Sequence, residues 1–267
     1  MVEMTLQEVQ RVNNDTLFMF ADYCSQNGLK YWIAYGTLLG AVRHKGVIPW
    51  DDDVDVWMPR ADYEVFVKDF PVFARKTPYR FYYMGNDERQ YDYRGIISDE
   101  RTMHAYGHRI TDFEYGLHID VFPLDYLDES ELKGRIVAYD TYWTVDLAHR
   151  LFLHDKGKYL QSHSRFHGML YQIALATMGR LDFRAKMQKD EMRAKGHPVS
   201  SWMGILGDSS IRGYKAEWFE DSIQLEYEGR MLLAPSGYDE ILKAQYGDYM
   251  TLPPESDRVP YGKGYRK

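Results

Sequence analysis

Along the first 130 positions the apolar residues change period several times, and each change marks an element. Between residues 4 and 27, Leu6, Val9, Val12, Leu17, Phe20, Ala21 and Cys24 recur broadly at helical spacing. The segment therefore predicts an amphipathic helix, with Thr5 as N-cap and Gly28 as stop. A strand is expected over 30–35, then a turn at Gly36-Thr37 and a short helix through Val42. From Asp53 the period becomes two, Asp-Val-Asp-Val-Trp, the signature of a strand. Helical spacing returns over 60–70 through Tyr63, Phe66, Val67 and Phe70, with Pro71 as the expected end. Strand-like runs follow at 79–84, 93–98 and 101–106, with turns at Asn86-Asp87 and Ser98-Asp99. They suggest an antiparallel extension of the sheet. Leu117 to Phe122 makes one more strand, with Asp120 between apolar neighbours.

Residues 130–195 read as mostly helical, in stretches 130–153, around 163–178 and 181–194, broken at Gly157 and Gly179-Arg180. Short extended pieces return from 200 to 235: Trp202 to Leu206, Trp218-Phe219, and a hairpin pairing Ile223 to Tyr227 with Met231 to Ala234 across Glu228-Gly229-Arg230. A last helix over 237–246 precedes a Pro- and Gly-rich tail, which either folds over the site or stays mobile. Its basic end, Lys263, Arg266 and Lys267, is expected to fray.

A strand, a Gly-Thr step into a helix and then an apolar strand bearing alternate aspartates is the pattern of the nucleotidyltransferase fold. The expected class is α/β, more strictly α+β, with a nucleotidyltransferase-like mixed-sheet core over 1–128. A largely helical insertion over 129–200 faces the acceptor, and strands, helix and tail over 201–267 complete the core.

The candidate chemistry sits on the alternating strand. Asp53 and Asp55 share one face, and two carboxylates so placed repel each other unless a hard cation lies between them. Mg²⁺ accepts such oxygen ligands and commonly carries substrate phosphates on its other positions. The plain alternative, a solvated acidic turn, does not require the acids to run straight into an apolar strand. Asp51 and Asp120 are the further candidate ligands, since an aspartate inside an apolar strand is costly unless paired or coordinated; capping of a neighbouring turn is the other reading of Asp120. The expected catalytic set is Asp53, Asp55 and Asp120, and the metal set adds Asp51. Gly36 would let a phosphate approach the backbone and Thr37 would donate to it from a helix N-terminus. In the triplet Arg43-His44-Lys45, Arg43 and Lys45 are candidate phosphate contacts, with a solvated surface as the alternative. Arg94 and Arg109 are weaker candidates for the same task. Trp50, His118 and Asp125 read as structural.

The run GTLLGAVRHKGVIPWDDDVDVWMPRADYE, with the later His118-Ile119-Asp120-Val121-Phe122-Pro123-Leu124-Asp125 and Tyr246-Gly247-Asp248-Tyr249-Met250-Thr251-Leu252-Pro253-Pro254, resembles the LicD family. That family includes bacterial phosphorylcholine transferases and is related to fukutin-type proteins. The resemblance implies a phosphotransferase using one or two Mg²⁺ ions and CDP-choline as donor. Phosphocholine would move to an amino sugar of a lipid-linked teichoic-acid or lipopolysaccharide precursor, and CMP would leave. It also implies a cytoplasmic protein in peripheral contact with the inner face of the membrane. Choline, ethanolamine, glycerol and ribitol phosphates suit the same acids equally, so the head group stays open.

Composition narrows the rivals. A net charge of −7 argues against a dedicated nucleic-acid binder. The single cysteine, Cys24, excludes an intrachain disulfide and a Cys-rich zinc site, and fits a reducing compartment. His163 and His167 are spaced i, i+4, with His149 and His154 nearby, yet no third zinc ligand accompanies them. No secretory signal is visible at the N-terminus. The 23 tyrosines and 6 tryptophans serve packing and, in part, a pocket for a sugar ring or quaternary ammonium. Two other functions remain: a nucleotidyltransferase that releases pyrophosphate, and a non-catalytic glycan- or choline-binding module.

Overall fold

Helix α1 (Leu6–Asn27) begins at a capping box: the Glu8 amide donates to the Thr5 hydroxyl, and the Thr5 amide donates to the Glu8 carboxylate. It ends at Gly28, whose φ of 66° is the left-handed conformation that glycine adopts without strain. The computed structural model describes residues 2–87, 90–106, 115–128, 182–207, 213–260 and 262–267. Arg109, the stretches 130–153 and 163–178, and His149, His154, His163 and His167 lie outside the described residues.

The principal sheet has the order β2 (Trp32–Ile33), β3 (Asp55–Pro59), β7 (Leu117–Tyr126), β5 (Gly95–Asp99), β4 (Tyr79–Tyr82). Strands β3 and β7 are parallel and the other pairs antiparallel, so the sheet is mixed. The far end of β7 pairs with β8 (Trp202–Gly204), which pairs with β9 (Tyr214–Lys215). This is the α+β class expected. Strand β6 (Thr102–Tyr106) does not extend this sheet. It joins a second one, in the order β1 (Val2–Glu3), β12 (Gly262–Arg266), β6. The tail thus contributes a strand where fraying was expected.

Helices α1 and α3 (Arg60–Ala74) cover one face of the principal sheet through a seam of rings: Phe20, Tyr23, Phe66, Phe70 and Phe81 meet mostly edge to face. Each such pair contributes about 0.5–1.5 kcal/mol beyond its buried area. Pro71 does not end α3, which continues to Ala74. Phe70 and Ala74 are both fully buried, and their packing outweighs the hydrogen bond that proline forgoes. Across the sheet, Trp57 packs against Tyr35, Tyr214 and Phe219. Trp218-Phe219 lies in a 3₁₀ turn rather than an extended piece. Strands β10 (Ser222–Tyr227) and β11 (Arg230–Pro235) form the expected hairpin. Its loop has two residues, Glu228 (φ 50°) and Gly229 (φ 75°), the positive pair of a type I′ turn. Within 182–207, helix α4 (Phe183–Lys195) buries Met187 against Tyr93, Met84 and Leu206. Helix α5 (Tyr238–Tyr246) closes the core with Ile241 and Leu242.

Candidate active site

In the parallel register of β3 and β7, Asp55 stands opposite Asp120, and the Asp120 amide donates to the Val54 carbonyl at 2.9 Å. Residues in register on neighbouring strands project to the same face, so both carboxylates meet at one end of the pair. Asp53 precedes the strand and joins them. Burial pushes the Asp53 carboxyl up to about 8, helped by the charges of Asp52, Asp120 and Asp51. Asp55 is raised well above its usual range by burial and then by Asp120 and Asp53. Burial lifts Asp51 and Asp120 to about 6. Among the described residues, the carboxylates of Asp53 and Asp55 accept no hydrogen bond and form no ion pair. Asp120 has one cation, Arg94, whose Nη1 lies 2.6 Å from Oδ2, while Oδ1 is buried without a hydrogen-bond partner.

The neighbouring elements fix this geometry from behind. Thr37 is buried, and its hydroxyl accepts from the Asp55 amide at 2.9 Å. Gly36, on the first turn of α2 (Tyr35–His44), stands under Asp51: a Cβ there would meet Asp51 Oδ2 at 2.6 Å. Asp51, Asp52 and Asp53 lie close enough to share a cation, yet Asp52 turns inward. Its Oδ2 accepts from the Gly262 amide of β12 at 2.8 Å, so Asp52 fastens the turn to the tail. His118 is held neutral by burial and by His104, which push its pKa down to about 3. Its Nδ1 lies 2.9 Å from the Gly116 carbonyl, and Nε2 is 3.9 Å from Asp120 Oδ1.

The acids open into a cleft of about 800 Å³ whose near wall includes Gly36, Arg43 and Trp50 and whose far wall is the arm 246–259. Arg43 reaches that arm, donating from Nη1 to the Tyr249 carbonyl at 3.0 Å. Lys45 is not brought into the cleft. It caps α2 in the left-handed conformation, exposed, 3.3 Å from Glu226. A larger cleft of about 980 Å³ lies at the other end of β3 and β7, beside Arg60, Asp125 and Trp202. Its central acid, Asp125, is already paired bidentately with Arg60 at 2.7 and 2.6 Å.

Three contributors carry little signal in the sequence. Gln10 of α1 donates to the Asp51 carbonyl at 2.8 Å and Asn13 to the Asp52 carbonyl at 2.7 Å, so one helix face shapes the aspartate turn. The available signal was a set of amides, Gln10, Asn13 and Asn14, spaced i, i+3 and i+4 so that they share one helix face. The third is the arm 246–259, whose Pro-rich sequence reads as a loop.

A family model described as LicD/FKTN/FKRP, nucleotidyltransferase domain, matches residues 28–145. The lipopolysaccharide cholinephosphotransferase LicD of Haemophilus influenzae is 30% identical across 98% of this chain and 97% of its own. The chain belongs to the LicD family. Other relatives include an uncharacterized Rickettsia typhi protein, 31% identical over 54% of this chain and 46% of its own length. The human ribitol 5-phosphate transferase FKRP is 59% identical over 29 residues, covering 11% of this chain and 6% of its own.

Proposed function

We propose that this LicD-family protein is a phosphotransferase acting on glycans. It moves phosphocholine from CDP-choline to a sugar hydroxyl of a lipopolysaccharide or teichoic-acid precursor and leaves CMP. The observation that carries the reading is Asp55 in register with Asp120, beside Asp53, with acids raised by burial and mutual repulsion. End-to-end likeness to a cholinephosphotransferase supports both the chemistry and the head group.

The donor set fits a hard divalent cation, since a buried carboxylate oxygen of Asp120 lacks a hydrogen-bond partner and Asp53 and Asp55 have no counter-charge among the described residues. Asp53, Asp55 and Asp120, with Asp51 at the edge, would hold one or two Mg²⁺ ions, which supply neutralisation of the diphosphate and a lower pKa for the attacking hydroxyl. The protein's own groups set the geometry. Thr37 fixes the backbone of Asp55, and Arg94 holds Asp120 in place. Gly36, having no side chain, leaves room for the Asp51 carboxylate, and Trp50, Leu252 and Pro253 wall the cleft. Among the described residues no helix is long and apolar enough to cross a membrane, and a lipid-linked acceptor would bring the protein to the inner membrane face by peripheral contact.

The test is CMP release from CDP-choline with Mg²⁺, with and without an amino-sugar acceptor, and with EDTA as control. Acceptor-dependent, EDTA-sensitive CMP is expected. Pyrophosphate release from CTP and an acceptor, with no CMP from CDP-choline, would make the protein a nucleotidyltransferase instead. Release from CDP-glycerol or CDP-ribitol alone would replace the head group, and silence with every donor would overturn the reading.

A further inference from the structure

Two guanidinium groups from distant segments converge on Trp50. Arg43, in the last turn of α2, places Cζ 5.9 Å from the ring centroid, and Arg258, on the arm, places its Cζ at 5.2 Å. Arg43 spends Nε on His44 and Nη1 on the Tyr249 carbonyl; Arg258 spends Nε on the Pro253 carbonyl at 2.9 Å. Nη2 of Arg43 and both Nη groups of Arg258 make no further hydrogen bond, and neither side chain pairs with a carboxylate, among the described residues. Of the acids on the arm, Asp248 accepts from Thr251 and Asp257 from Ser256, and Glu255 is exposed without pairing to either guanidinium. Burial and then the charge of Arg258 depress the Arg43 pKa, which places the two cations within each other's field.

A folded protein gains nothing by holding two like charges together unpaired. An anion between them would relieve that repulsion, and guanidinium forks suit phosphate oxygens. The location agrees: Trp50 adjoins Asp51, and Arg43 and Trp50 line the cleft that holds Asp53 and Asp55. We propose that Arg43 and Arg258, set about Trp50 beside the carboxylate cleft, form the cradle for a donor phosphate. The proposal rests on the phosphotransferase reading and adds a donor-binding residue from the C-terminal arm. A diphosphate would then meet both the cation-binding acids and fixed guanidinium groups.

Calorimetric titration of wild type, Arg43→Gln, Arg258→Gln and Arg258→Lys in Mg²⁺ buffer decides it, using CMP, cytidine and inorganic pyrophosphate as ligands. Wild type should prefer CMP to cytidine by at least roughly tenfold, as expected for charge-assisted hydrogen bonds. Each Gln variant should lose about tenfold in CMP affinity and nothing in cytidine affinity, and Arg258→Lys should recover part of the loss. If the arginines only tie down the arm, CMP and cytidine weaken alike, and the proposal falls. It also falls if the Gln variants keep the full CMP preference, or if wild type binds no phosphate ligand. Arginine-dependent binding of pyrophosphate, with neither CMP nor cytidine bound, would keep the cradle and reject the cytidine donor.

Discussion

Strands β3 and β7 carry buried acids at both ends, and the two ends are built on different terms. At one end Asp125, fully buried, receives a bidentate guanidinium from Arg60, which also reaches Glu64 at 3.3 Å. Burial keeps the Asp125 carboxyl above its ordinary range, but Arg60 opposes that shift and fixes the charge. At the other end, among the described residues, Asp53 and Asp55 have no such partner, and Asp120 faces Arg94. Burial is common to both ends. What differs is whether the described residues provide the counter-charge: where they do, the acid is a joint in the fold, and where they do not, the acids keep a mutual repulsion that the proposed cation would relieve.

The contrast can be broken at either end. Asp53→Asn or Asp55→Asn should leave the protein folded and lower the transfer rate by about three orders of magnitude or more, the scale on which preorganised charge stabilisation is lost. Near-wild-type turnover by both variants would remove these acids from the chemistry. At the other end, Arg60→Met should strip Asp125 of its partner and cost about 3–5 kcal/mol in urea unfolding, since one member of a buried pair is left charged and alone. A loss below about 1 kcal/mol would mean that the pair is decorative. The smallest effect is a pH slope. Asp51 and Asp120 titrate near 6 and Asp53 near 8 in the folded chain, against about 3.9 unfolded. The folded state therefore holds more protons across this interval, and the stability they provide is present below about pH 4 and lost as pH rises to about 8. Unfolding midpoints in EDTA should fall over that window, and Mg²⁺ should flatten the slope at its upper end. A flat profile in EDTA would show that the acids are neutralised by other means.

The aspartate strand and α1 were legible because local rules suffice for them. The alternating run marks the strand, which starts at Asp55 and not at Asp53, while Thr5 and Glu8 cap α1 and Gly28 stops it. The hairpin was legible too, though its loop is one residue shorter than its sequence suggested. What stayed hidden depends on partners far away in the chain. Gln10 and Asn13 look like ordinary polar helix residues until their amides are seen on carbonyls about forty positions later. Gly262–Arg266 has two glycines and three cations or aromatics, so no propensity favours a strand, and only pairing with β1 and β6 orders it. Pro71 misled for the opposite reason: a strong local rule lost to the burial of its neighbours. Lys45 shares a triplet with Arg43, but Lys45 is itself the left-handed cap of α2 and faces Glu226 outside the cleft.

The bond from the Gly262 amide to Asp52 joins residues 210 positions apart. During synthesis the aspartate turn leaves the ribosome early, with its own helix already present to shape it, yet it must wait for nearly the whole remaining chain before its last fastening arrives. At about 5–20 residues per second that delay lasts on the order of ten seconds or more. Through that interval the nascent chain displays its acids without the clasp of β12, and a polypeptide released before residue 262 never acquires it.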